Sequence, residues 1–468
     1  MDRRRFLKVF GIGGGAVVGG LVLPGVIAEK WGPEEPEIDD PRPPSFWEID
    51  AGGFPQTPQL TSDLEMDAVV IGAGITGLSA VWTLKELAPS LKVCLIDSHR
   101  PCSGASSRNS AHLQGEYHSW RQICHKQGVE RAREWNQFSH RGLESIFDFI
   151  RSHQIDCGLH RSPLFWTARE KQLKALEGLF EDMKRVGMPG KLLLGKEFYK
   201  VAGFKFYAGA IKYLNNWIMH PGKLMKGFLE VVQKQGIPVY SRSPVLKVIN
   251  TDSSQETNIL KTPKGTIACK KVLFATNAYT PRLGGLLSYR MFPVVLATLV
   301  TEPFSSSDWK AWDYSWEHIS EYQFVNRTIG HTPDRRIYFR GIFGYSSFNS
   351  CVWKNLEGGF RRLEREFQER IPWARDLKLA HRWTGAVGIT YSQSPIAGAL
   401  GKKGQYVAVG YNGFGMVQGF YHGRLVAHLM LGESHPDLKY LKGPWGWIPP
   451  EPYRTIGTKT FFFFALKD

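Results

Sequence analysis

Three glycines and one aspartate have the spacing of a binding site for a dinucleotide. The glycines are Gly72, Gly74 and Gly77, and Asp97 follows twenty residues after the last of them. In such a site the first glycine allows a tight turn, the second has no Cβ to block the pyrophosphate, and the third lets a helix pack close to a strand. The carboxylate of Asp97 would accept hydrogen bonds from the ribose hydroxyls. These residues therefore predict dinucleotide binding.

The chain around these residues predicts the elements that must position them. Residues 67–71 form a short apolar run rich in β-branched side chains, which is typical of a strand buried on both faces. Residues 78–87 have the apolar spacing of a helix, and residues 91–96 have the pattern of a second strand. The helix N-terminus would present free N–H groups and the positive end of its dipole to the phosphates. The alternative is a plain βαβ unit with a glycine-rich turn, which would leave the position of Asp97 unexplained.

The composition is that of a soluble globular protein with more than one domain. The chain has 468 residues, of which 43% are hydrophobic and 22% charged, and its formal net charge is +16. No dense basic block lies outside the first eight residues and no nucleic-acid motif is present, which argues against nucleic acid as a partner. The six cysteines are scattered without metal-ligand spacing, so we predict no metal site.

A polar loop follows Asp97, and residues 104–109 in it read Gly-Ala-Ser-Ser-Arg-Asn. This loop resembles the Gly-Ala-Ser-x-Arg-Asn segment of the D-amino-acid oxidase superfamily, whose members are FAD-dependent amine and amino-acid oxidases. In that family the segment passes under the flavin and meets the pyrophosphate and the ribityl chain. The resemblance implies FAD as the cofactor. The two glycines that usually follow the asparagine are Ser110 and Ala111 here, so the closest approach to the flavin ring is expected to differ.

The resemblance extends over roughly residues 64–460 and implies further contacts with FAD. Asn277 ends a predicted strand, where it is either a turn residue or a cofactor contact. The cofactor contacts that the resemblance implies are Gly72, Gly74, Ile75, Thr76, Gly77, Asp97, Ser98, Ala105, Ser106, Arg108, Asn109, Val245, Leu246, Ala275, Asn277, Gly385, Gly413, Phe414, Gly415 and Met416.

Residues 406–417 again have the pattern of a strand, a glycine loop and the start of a helix. The loop contains Gly413 and Gly415, so its N–H groups and the helix N-terminus can face the N1–C2 carbonyl edge of the flavin. Negative charge collects at this edge when flavin is reduced, and a helix N-terminus would favour that charge. The chain thus offers one helix N-terminus for the phosphates and one for the ring.

These patterns predict an α/β fold, α+β overall, in which a Rossmann-like FAD-binding domain carries an inserted substrate domain with a mixed or antiparallel sheet. The sequence before the first strand is expected to be a linker over the surface, residues 29–63. The last residues, 433–468, are expected to be a C-terminal tail. The FAD-binding domain is assigned to residues 64–115, 216–284 and 381–432, and the substrate domain to residues 116–215 and 285–380.

The segment from Arg382 to Pro395 indicates the branch of the superfamily. Amino-acid oxidases tend to have Arg-Pro where this chain has Val387 and Gly388, and the pattern resembles γ-glutamylputrescine oxidase-like members instead. The missing arginine favours an amine over an α-amino acid as substrate. The implied reaction passes a hydride from the α-carbon of the amine to flavin N5 and forms an imine, with oxygen or a membrane carrier as electron acceptor.

No catalytic residue is assigned with certainty by the sequence. His112 is either a base for an ammonium substrate or a packed histidine, and Arg340 and Tyr345 either face the flavin or lie on a solvent-exposed strand. Two other functions stay open, a flavin monooxygenase and a non-catalytic envelope protein that FAD stabilises. The chain has no Gly-Asp pair, which flavin monooxygenases normally need for the ribityl chain.

The N-terminus resembles a twin-arginine export signal over residues 1–28. Arg3 and Arg4 are followed by Arg5-Phe6-Leu7-Lys8 and by an apolar segment diluted by glycine. The resemblance implies the twin-arginine export machinery as a partner and a location in the periplasm or on the outer face of the cytoplasmic membrane. An N-terminal membrane anchor is the alternative.

Overall fold

The computed structural model describes residues 43–465 except 204, 251–256, 284, 306–317, 324–325, 346–350, 352–354, 375–376, 402 and 442–445. The predicted export signal lies outside the described residues. The helices are α1 (Phe46–Asp50), α2 (Ile75–Leu87), α3 (Trp120–Gln127), α4 (Val129–Ser152), α5 (Leu173–Val186), α6 (Gly195–Ala202), α7 (Pro221–Lys234), α8 (Leu356–Arg370), α9 (Gly415–Leu431) and α10 (Tyr453–Ala465). The strands are β1 (Leu64–Ile71), β2 (Val93–Ile96), β3 (His112–Gln114), β4 (His160–Arg161), β5 (Leu164–Ala168), β6 (Gly190–Leu194), β7 (Gly209–Tyr213), β8 (Asn216–Ile218), β9 (Val239–Tyr240), β10 (Lys247–Asn250), β11 (Asn258–Lys261), β12 (Thr266–Phe274), β13 (Met291–Thr301), β14 (His318–Glu321), β15 (Thr328–His331), β16 (Ile337–Tyr345), β17 (Leu379–Thr390), β18 (Ile396–Ala399) and β19 (Gln405–Val409).

The first sheet has eight strands and a parallel centre. Its order is β10-β11-β12-β1-β2-β9, and β19 pairs with β12 while β18 pairs with β19. Strand β1 runs parallel to both neighbours, so that Val70 lies between Leu95 and Leu273. The central strands are apolar because side chains pack on both faces of the sheet. This is the predicted Rossmann-like arrangement.

Helices α2 and α9 pack closely against each other on the first sheet. A Cβ on Gly423 would lie 2.4 Å from the backbone oxygen of Thr76, and one on Gly419 would lie 2.8 Å from the Thr76 hydroxyl. Glycine at these two positions therefore lets the helices approach. The contact fixes the N-termini of both helices relative to each other.

The second sheet has the order β17-β13-β16-β15-β14-β5-β7-β6 and is antiparallel except where β14 meets β5. Side chains alternate between its faces. One face packs against α8 and α6 through a hydrophobic core that includes Leu299, Ile329 and Phe339. The other face carries Trp166, Thr328 and Arg340, and it lines a large cavity. Strands β3, β8 and β4 form a small third sheet.

The structure differs from the expected boundaries at three places. The expected linker contains α1, whose Phe46 and Trp47 are buried, because these aromatic side chains pack against the body of the protein. Strand β17 belongs to the second sheet, where it pairs with β13, although it was assigned mostly to the FAD-binding domain. The C-terminal tail forms α10, which packs against the second sheet. Among the helices of the described residues, none has the length and apolarity needed to cross a membrane.

Candidate functional site

A cavity of about 1230 Å³ lies between the first sheet and the second sheet. Ligand pockets of roughly 300–1,000 Å³ are usual for small molecules, so this cavity has room for a large cofactor together with a substrate. The structure brings nearly all the sequence-predicted residues to its wall. Those lining the cavity are Gly72, Gly74, Ile75, Thr76, Asp97, Ser98, Ala105, Ser106, Arg108, Asn109, His112, Val245, Leu246, Ala275, Asn277, Arg340, Gly385, Gly413, Phe414, Gly415 and Met416.

The first glycine loop has the geometry that its spacing predicts. Gly72 has a φ of +106°, and a Cβ there would lie 2.7 Å from the backbone oxygen of Ala275. Gly77 does not line the cavity, and a Cβ on it would lie 1.9 Å from the backbone oxygen of Gly72. Gly77 therefore allows the helix to lie against the turn instead of touching a ligand. Gly74 precedes α2 directly, so the helix begins at the cavity wall.

Asp97 and Ser106 are both held by hydrogen bonds from backbone N–H groups. The carboxylate of Asp97 accepts from the N–H of Ala73 at 2.7 Å and from the N–H of His99 at 2.9 Å. The hydroxyl oxygen of Ser106 accepts from the N–H of Ile75 at 3.0 Å. These bonds orient a carboxylate and a hydroxyl at the two ends of the first glycine loop. Both side chains keep lone pairs for the hydroxyls of a ribose.

The backbone around the cavity fits an FAD molecule. A Cβ built on Gly104 or on Gly413 would meet no atom within 4 Å, so the backbone at these positions borders open space. Helix α9 begins beside Gly413, and Phe414 stacks on the ring of His118 with 4.1 Å between the ring centroids. Two helix N-termini, an oriented carboxylate and open glycine backbone are the groups that a flavin dinucleotide requires.

Arg108 and Asn109 hold the flavin loop, which we define as residues 104–110. The guanidinium of Arg108 is buried and donates to three backbone oxygens, those of Ser103 at 2.6 Å, Thr384 at 2.9 Å and Pro43 at 3.0 Å. Asn109 donates its amide to the backbone oxygen of Ser106 at 2.7 Å and accepts from the N–H of Ala111 at 2.9 Å. The side chains of these two residues therefore shape the loop.

Two predicted residues bring strand ends and loops together at the cavity wall. Asn277 has a φ of +40°, and its side-chain oxygen accepts from the N–H of Gly410 at 3.1 Å. It is thus a turn residue that joins the ends of β12 and β19, and it also lines the cavity. Gly385 lies on β17, where a Cβ would be 3.3 Å from the Cβ of Arg108. Glycine there lets the flavin loop lie against the second sheet.

Arg340 lies on the cavity face of the second sheet and carries a positive charge without an acidic partner. It stands opposite Thr328 on β15 and Thr298 on β13. Its guanidinium donates to Thr328 at 2.5 Å, to the side chain of Asn326 at 2.9 Å and to Ser110 at 3.3 Å, all neutral oxygens. Among the described residues, no carboxylate forms an ion pair with it. Burial and the Arg327 guanidinium lower the pKa of Arg340 to about 10, so it stays charged at neutral pH.

His112 lines the cavity as a neutral imidazole. Burial, with the nearby guanidinium of Arg340, lowers its pKa to about 3. Its ring contacts the ring of His318 at 4.6 Å between centroids. A group with so low a pKa is a poor acceptor for the proton of an ammonium substrate. The structure therefore favours the packed histidine over the base.

Tyr345, predicted as a catalytic candidate, does not line the cavity. It lies at the end of β16, and its hydroxyl donates to the carboxylate of Glu451. Its ring packs with Phe292 and Phe462 in a cluster that includes residues of α10. The alternation of side chains along β16 places Arg340 at the cavity. A register shift between β13 and β16 then sets Tyr345 opposite Val294, so Tyr345 is on the same face of the sheet as Arg340 but is covered by α10.

The sequence reasoning missed two groups of cavity residues. Gln114, Glu116 and His118 continue the alternation that begins at His112, and all of them line the cavity. The repeated polar residue at every second position was the signal for this row. Phe461 and Phe462 of α10 also line the cavity. No local pattern could place these two rings there, because they come from the far end of the chain.

Comparisons with known proteins agree with this geometry. The family model described as DAO, FAD dependent oxidoreductase, matches residues 67–429. Gamma-glutamylputrescine oxidoreductase of Escherichia coli strain K12 is 25% identical over 432 residues, which cover 91% of this chain and 98% of that protein. The crystal structure of glycine oxidase from Geobacillus kaustophilus matches with a TM-score of 0.64 at 18% identity, over 81% of this chain and 98% of that chain. The crystal structure of L-proline dehydrogenase from P. horikoshii matches with a TM-score of 0.64 at 16% identity, over 81% of this chain and 97% of that chain. These structures share the fold, which confirms the predicted fold class.

Proposed function

Because this chain belongs to the DAO family of FAD-dependent oxidoreductases, we propose that it oxidises the C–N bond of a small amine or amino acid that also carries an anionic group. The observation that supports the anionic group is Arg340 on the cavity wall, whose hydrogen-bond partners among the described residues are all neutral. The predicted flavin chemistry is that of the family. An amine or amino acid as substrate agrees with the substrates that the names of the similar proteins contain.

A buried guanidinium without an acidic partner is costly, because it has lost water and gained no opposite charge. The neutral oxygens of Thr328 and Asn326 replace part of its hydration. The anionic group of a substrate would supply the missing charge. The planar fork of an arginine suits a carboxylate or a phosphate, because two parallel hydrogen bonds can form.

The residues of this chain bind and orient, while the flavin provides the redox chemistry. FAD supplies a hydride acceptor at N5, and the imine that leaves is hydrolysed in water. Asp97 and the N-terminus of α2 would hold the ribose and the phosphates, and the N-terminus of α9 would face the ring. Arg340 would fix the anionic end of the substrate, so that the C–N bond is held in one orientation.

The test is the visible spectrum of the purified holoenzyme under anaerobic conditions. Matched pairs of amines, equal in length and differing only in a terminal carboxylate, are added in turn. We expect the flavin bands to bleach. The carboxylated member of each pair should bleach them at a concentration about tenfold lower than the uncharged member requires, or lower still. Bands that persist with every amine and amino acid would overturn the proposal and favour the non-catalytic binding protein. A colourless protein that cannot take up FAD would contradict the cofactor.

The finer proposal is that the chain acts like the γ-glutamylputrescine oxidase-like branch. It is supported by Val387 and Gly388 in place of Arg-Pro and by the similarity to gamma-glutamylputrescine oxidoreductase. γ-Glutamylputrescine carries both an amine and a carboxylate, which matches the chemistry of the cavity. We expect it to reduce the flavin faster than glycine or proline does. A preference for glycine or proline would contradict the branch.

Export is a separate proposal that rests on Arg3 and Arg4. We expect the native chain to be found outside the cytoplasm and the double variant Arg3→Lys, Arg4→Lys to remain inside, as measured by cell fractionation with activity or antibody detection.

The electron acceptor is proposed to be oxygen or a membrane carrier. Oxygen uptake by the amine-reduced enzyme, compared with the reduction of a quinone, distinguishes the two.

A further inference from the structure

The N-terminal segment, residues 43–51, is bound to the flavin loop by several independent contacts. We propose that this segment positions the flavin loop for FAD, and that Trp47 is a positioning residue of the cofactor site. The inference rests on the proposed FAD binding but not on amine oxidation, so it is tested by measurements on the cofactor itself.

Two of the contacts are made to the backbone of the flavin loop, and a third is made by one of its side chains. The indole N–H of Trp47 donates to the backbone oxygen of Asn109 at 2.9 Å, and the hydroxyl of Ser45 donates to the backbone oxygen of Ser107 at 2.7 Å. In the opposite direction, the Arg108 guanidinium donates to the backbone oxygen of Pro43 at 3.0 Å. Three successive residues of the loop are thus tied to one short segment that lies more than fifty residues earlier in the chain.

The segment is itself anchored to both domains. A Cβ on Gly222, at the start of α7, would lie 1.9 Å from the backbone oxygen of Trp47, and Lys226 of α7 donates to the backbone oxygen of Ala51 at 2.9 Å. On the second sheet, His381 contacts the backbone oxygen of Pro44 at 2.7 Å. The Trp47 ring also packs edge-on against Tyr338 of β16, with 5.5 Å between centroids. The segment therefore holds the flavin loop in a fixed position relative to α7 and to the second sheet.

The flavin loop needs such support because it has little structure of its own. It contains one short 3₁₀ turn, Ala105–Ser107, and otherwise follows no helix or strand. Its backbone oxygens at Ser107, Asn109 and Ser110 accept from Ser45, Trp47 and Tyr338, so external side chains satisfy them. If one of these bonds is lost, the loop spends less time in the FAD-binding conformation. The apparent affinity for FAD then falls by the same fraction.

The experiment compares Trp47→Phe with the wild type, using deflavinated protein titrated with FAD. Phenylalanine keeps an aromatic ring but loses the hydrogen bond to Asn109. We expect the dissociation constant for FAD to rise about two- to tenfold, which corresponds to the loss of one hydrogen bond. We also expect the shape of the visible absorption bands of the bound flavin to change, because the loop meets the ring in a different position.

The matched control is Trp82→Phe. Trp82 of α2 is also buried, but its indole N–H has no hydrogen-bond partner among the described residues. Its ring packs against Phe149 and His153, and it does not line the cavity. This control loses the same atoms and is expected to keep the FAD affinity and the spectrum of the wild type. If Trp47→Phe and Trp82→Phe have the same FAD affinity and the same spectrum, the proposal is overturned.

Ser45→Ala is the second variant, and it decides the question if Trp47→Phe fails to fold. It removes one hydroxyl that donates to Ser107 and caps α1, and it leaves the packing of Trp47 in place. A rise in the dissociation constant for FAD supports the proposal, and an unchanged constant contradicts it. Failure of every amine to reduce the flavin would leave these measurements unaffected, so the two proposals fail separately.

Discussion

At the level of single residues, the cavity wall carries one notable cation, which forms no ion pair with a carboxylate among the described residues. Arg340 is a cation with only neutral partners, and His112 is held neutral beside it. By contrast, the buried Arg370 of α8 pairs with Glu321 of the second sheet at 2.6 Å. The contrast supports the proposal that Arg340 binds an anionic group of the substrate.

The first prediction concerns Arg340→Gln. For an amine that carries a carboxylate, we expect KM to rise about ten- to a hundredfold, because the charge-assisted hydrogen bonds are lost. The same variant should oxidise the matched uncharged amine with nearly unchanged KM. The melting temperature is expected to stay close to that of the wild type, since a buried charge without a counter-ion is removed.

The control for this prediction is Arg382→Gln, in which a partly exposed arginine that pairs with Glu357 and Glu364 is changed. Arg382 does not line the cavity, so its variant should keep the wild-type KM for both substrates. Equal effects of Arg340→Gln on the charged and the uncharged amine would show that Arg340 does not bind the anionic group.

At the level of elements, two packing contacts decide the shape of the cofactor site. Helices α2 and α9 meet through Gly419 and Gly423 against Thr76, and the hydroxyls of Thr76 and Tyr411 are 3.1 Å apart. Helix α2, proposed to face the phosphates, and helix α9, proposed to face the ring, are therefore packed as one unit. Helix α10 closes the other end of the cavity with Phe461 and Phe462.

The second prediction concerns Gly423→Ala. The new Cβ would lie 2.4 Å from a backbone oxygen, so α9 must move away from α2. We expect the free energy of unfolding to fall by about 2 kcal/mol and the FAD affinity to fall with it. Denaturant unfolding and FAD titration measure the two effects.

Gly178→Ala in α5 is the control for this substitution, because its Cβ would meet only the Arg121 guanidinium at an ordinary 3.6 Å. There the change should raise the stability slightly, by about 0.5 kcal/mol or more, since alanine is the better helix former. A Gly423→Ala variant as stable as this control would contradict close packing of the two helices.

The third prediction concerns Phe462→Ala in α10. Removal of the ring is expected to cost about 3 kcal/mol of unfolding free energy and to widen the cavity. The ratio of kcat/KM for a bulky amine to that for a small one should rise about tenfold. Ile456→Ala on the exposed side of the same helix is the control and should change neither quantity. An unchanged ratio in Phe462→Ala would mean that α10 does not limit the substrate.

At the level of the whole molecule, buried neutral histidines link stability to pH. Burial lowers the pKa of His118 and of His422 to about 4, and that of His112 to about 3. In the unfolded chain a histidine has a pKa of about 6.5. At pH values between the pKa of the folded state and that of the unfolded state, the unfolded state binds more protons. The free energy of unfolding therefore falls as the pH falls below about 6.5.

The fourth prediction concerns His422→Gln, which removes a histidine buried in the core that contacts the backbone oxygen of Gln418 at 2.7 Å. Between pH 7 and pH 5, we expect this variant to lose about 2 kcal/mol less stability than the wild type, measured by denaturant unfolding at each pH. His160→Gln, at an exposed position on β4, should follow the wild type. If His422→Gln and the wild type have the same pH dependence, His422 does not control the acid sensitivity.

The sequence by itself determined the parts of the site whose chemistry is local. Gly72, Gly74, Gly77 and Asp97 lie within one βαβ unit, where turn, helix and strand geometry follow from neighbouring residues, and the structure has them in the predicted places. The geometry of the second glycine loop, with Gly413, likewise follows from residues that are neighbours in the sequence. The branch and the substrate were not determined in this way, because they depend on which side chains meet in the cavity.

Only the tertiary structure decided which distant residues complete the site. Arg340 reaches the cavity and Tyr345 does not, because α10 and Glu451 cover Tyr345 on the same face of the sheet. Trp47 and Phe462 come from opposite ends of the described chain and meet the site through long-range packing. Local patterns predict helices and strands, but no local pattern specifies a contact between segments that are hundreds of residues apart.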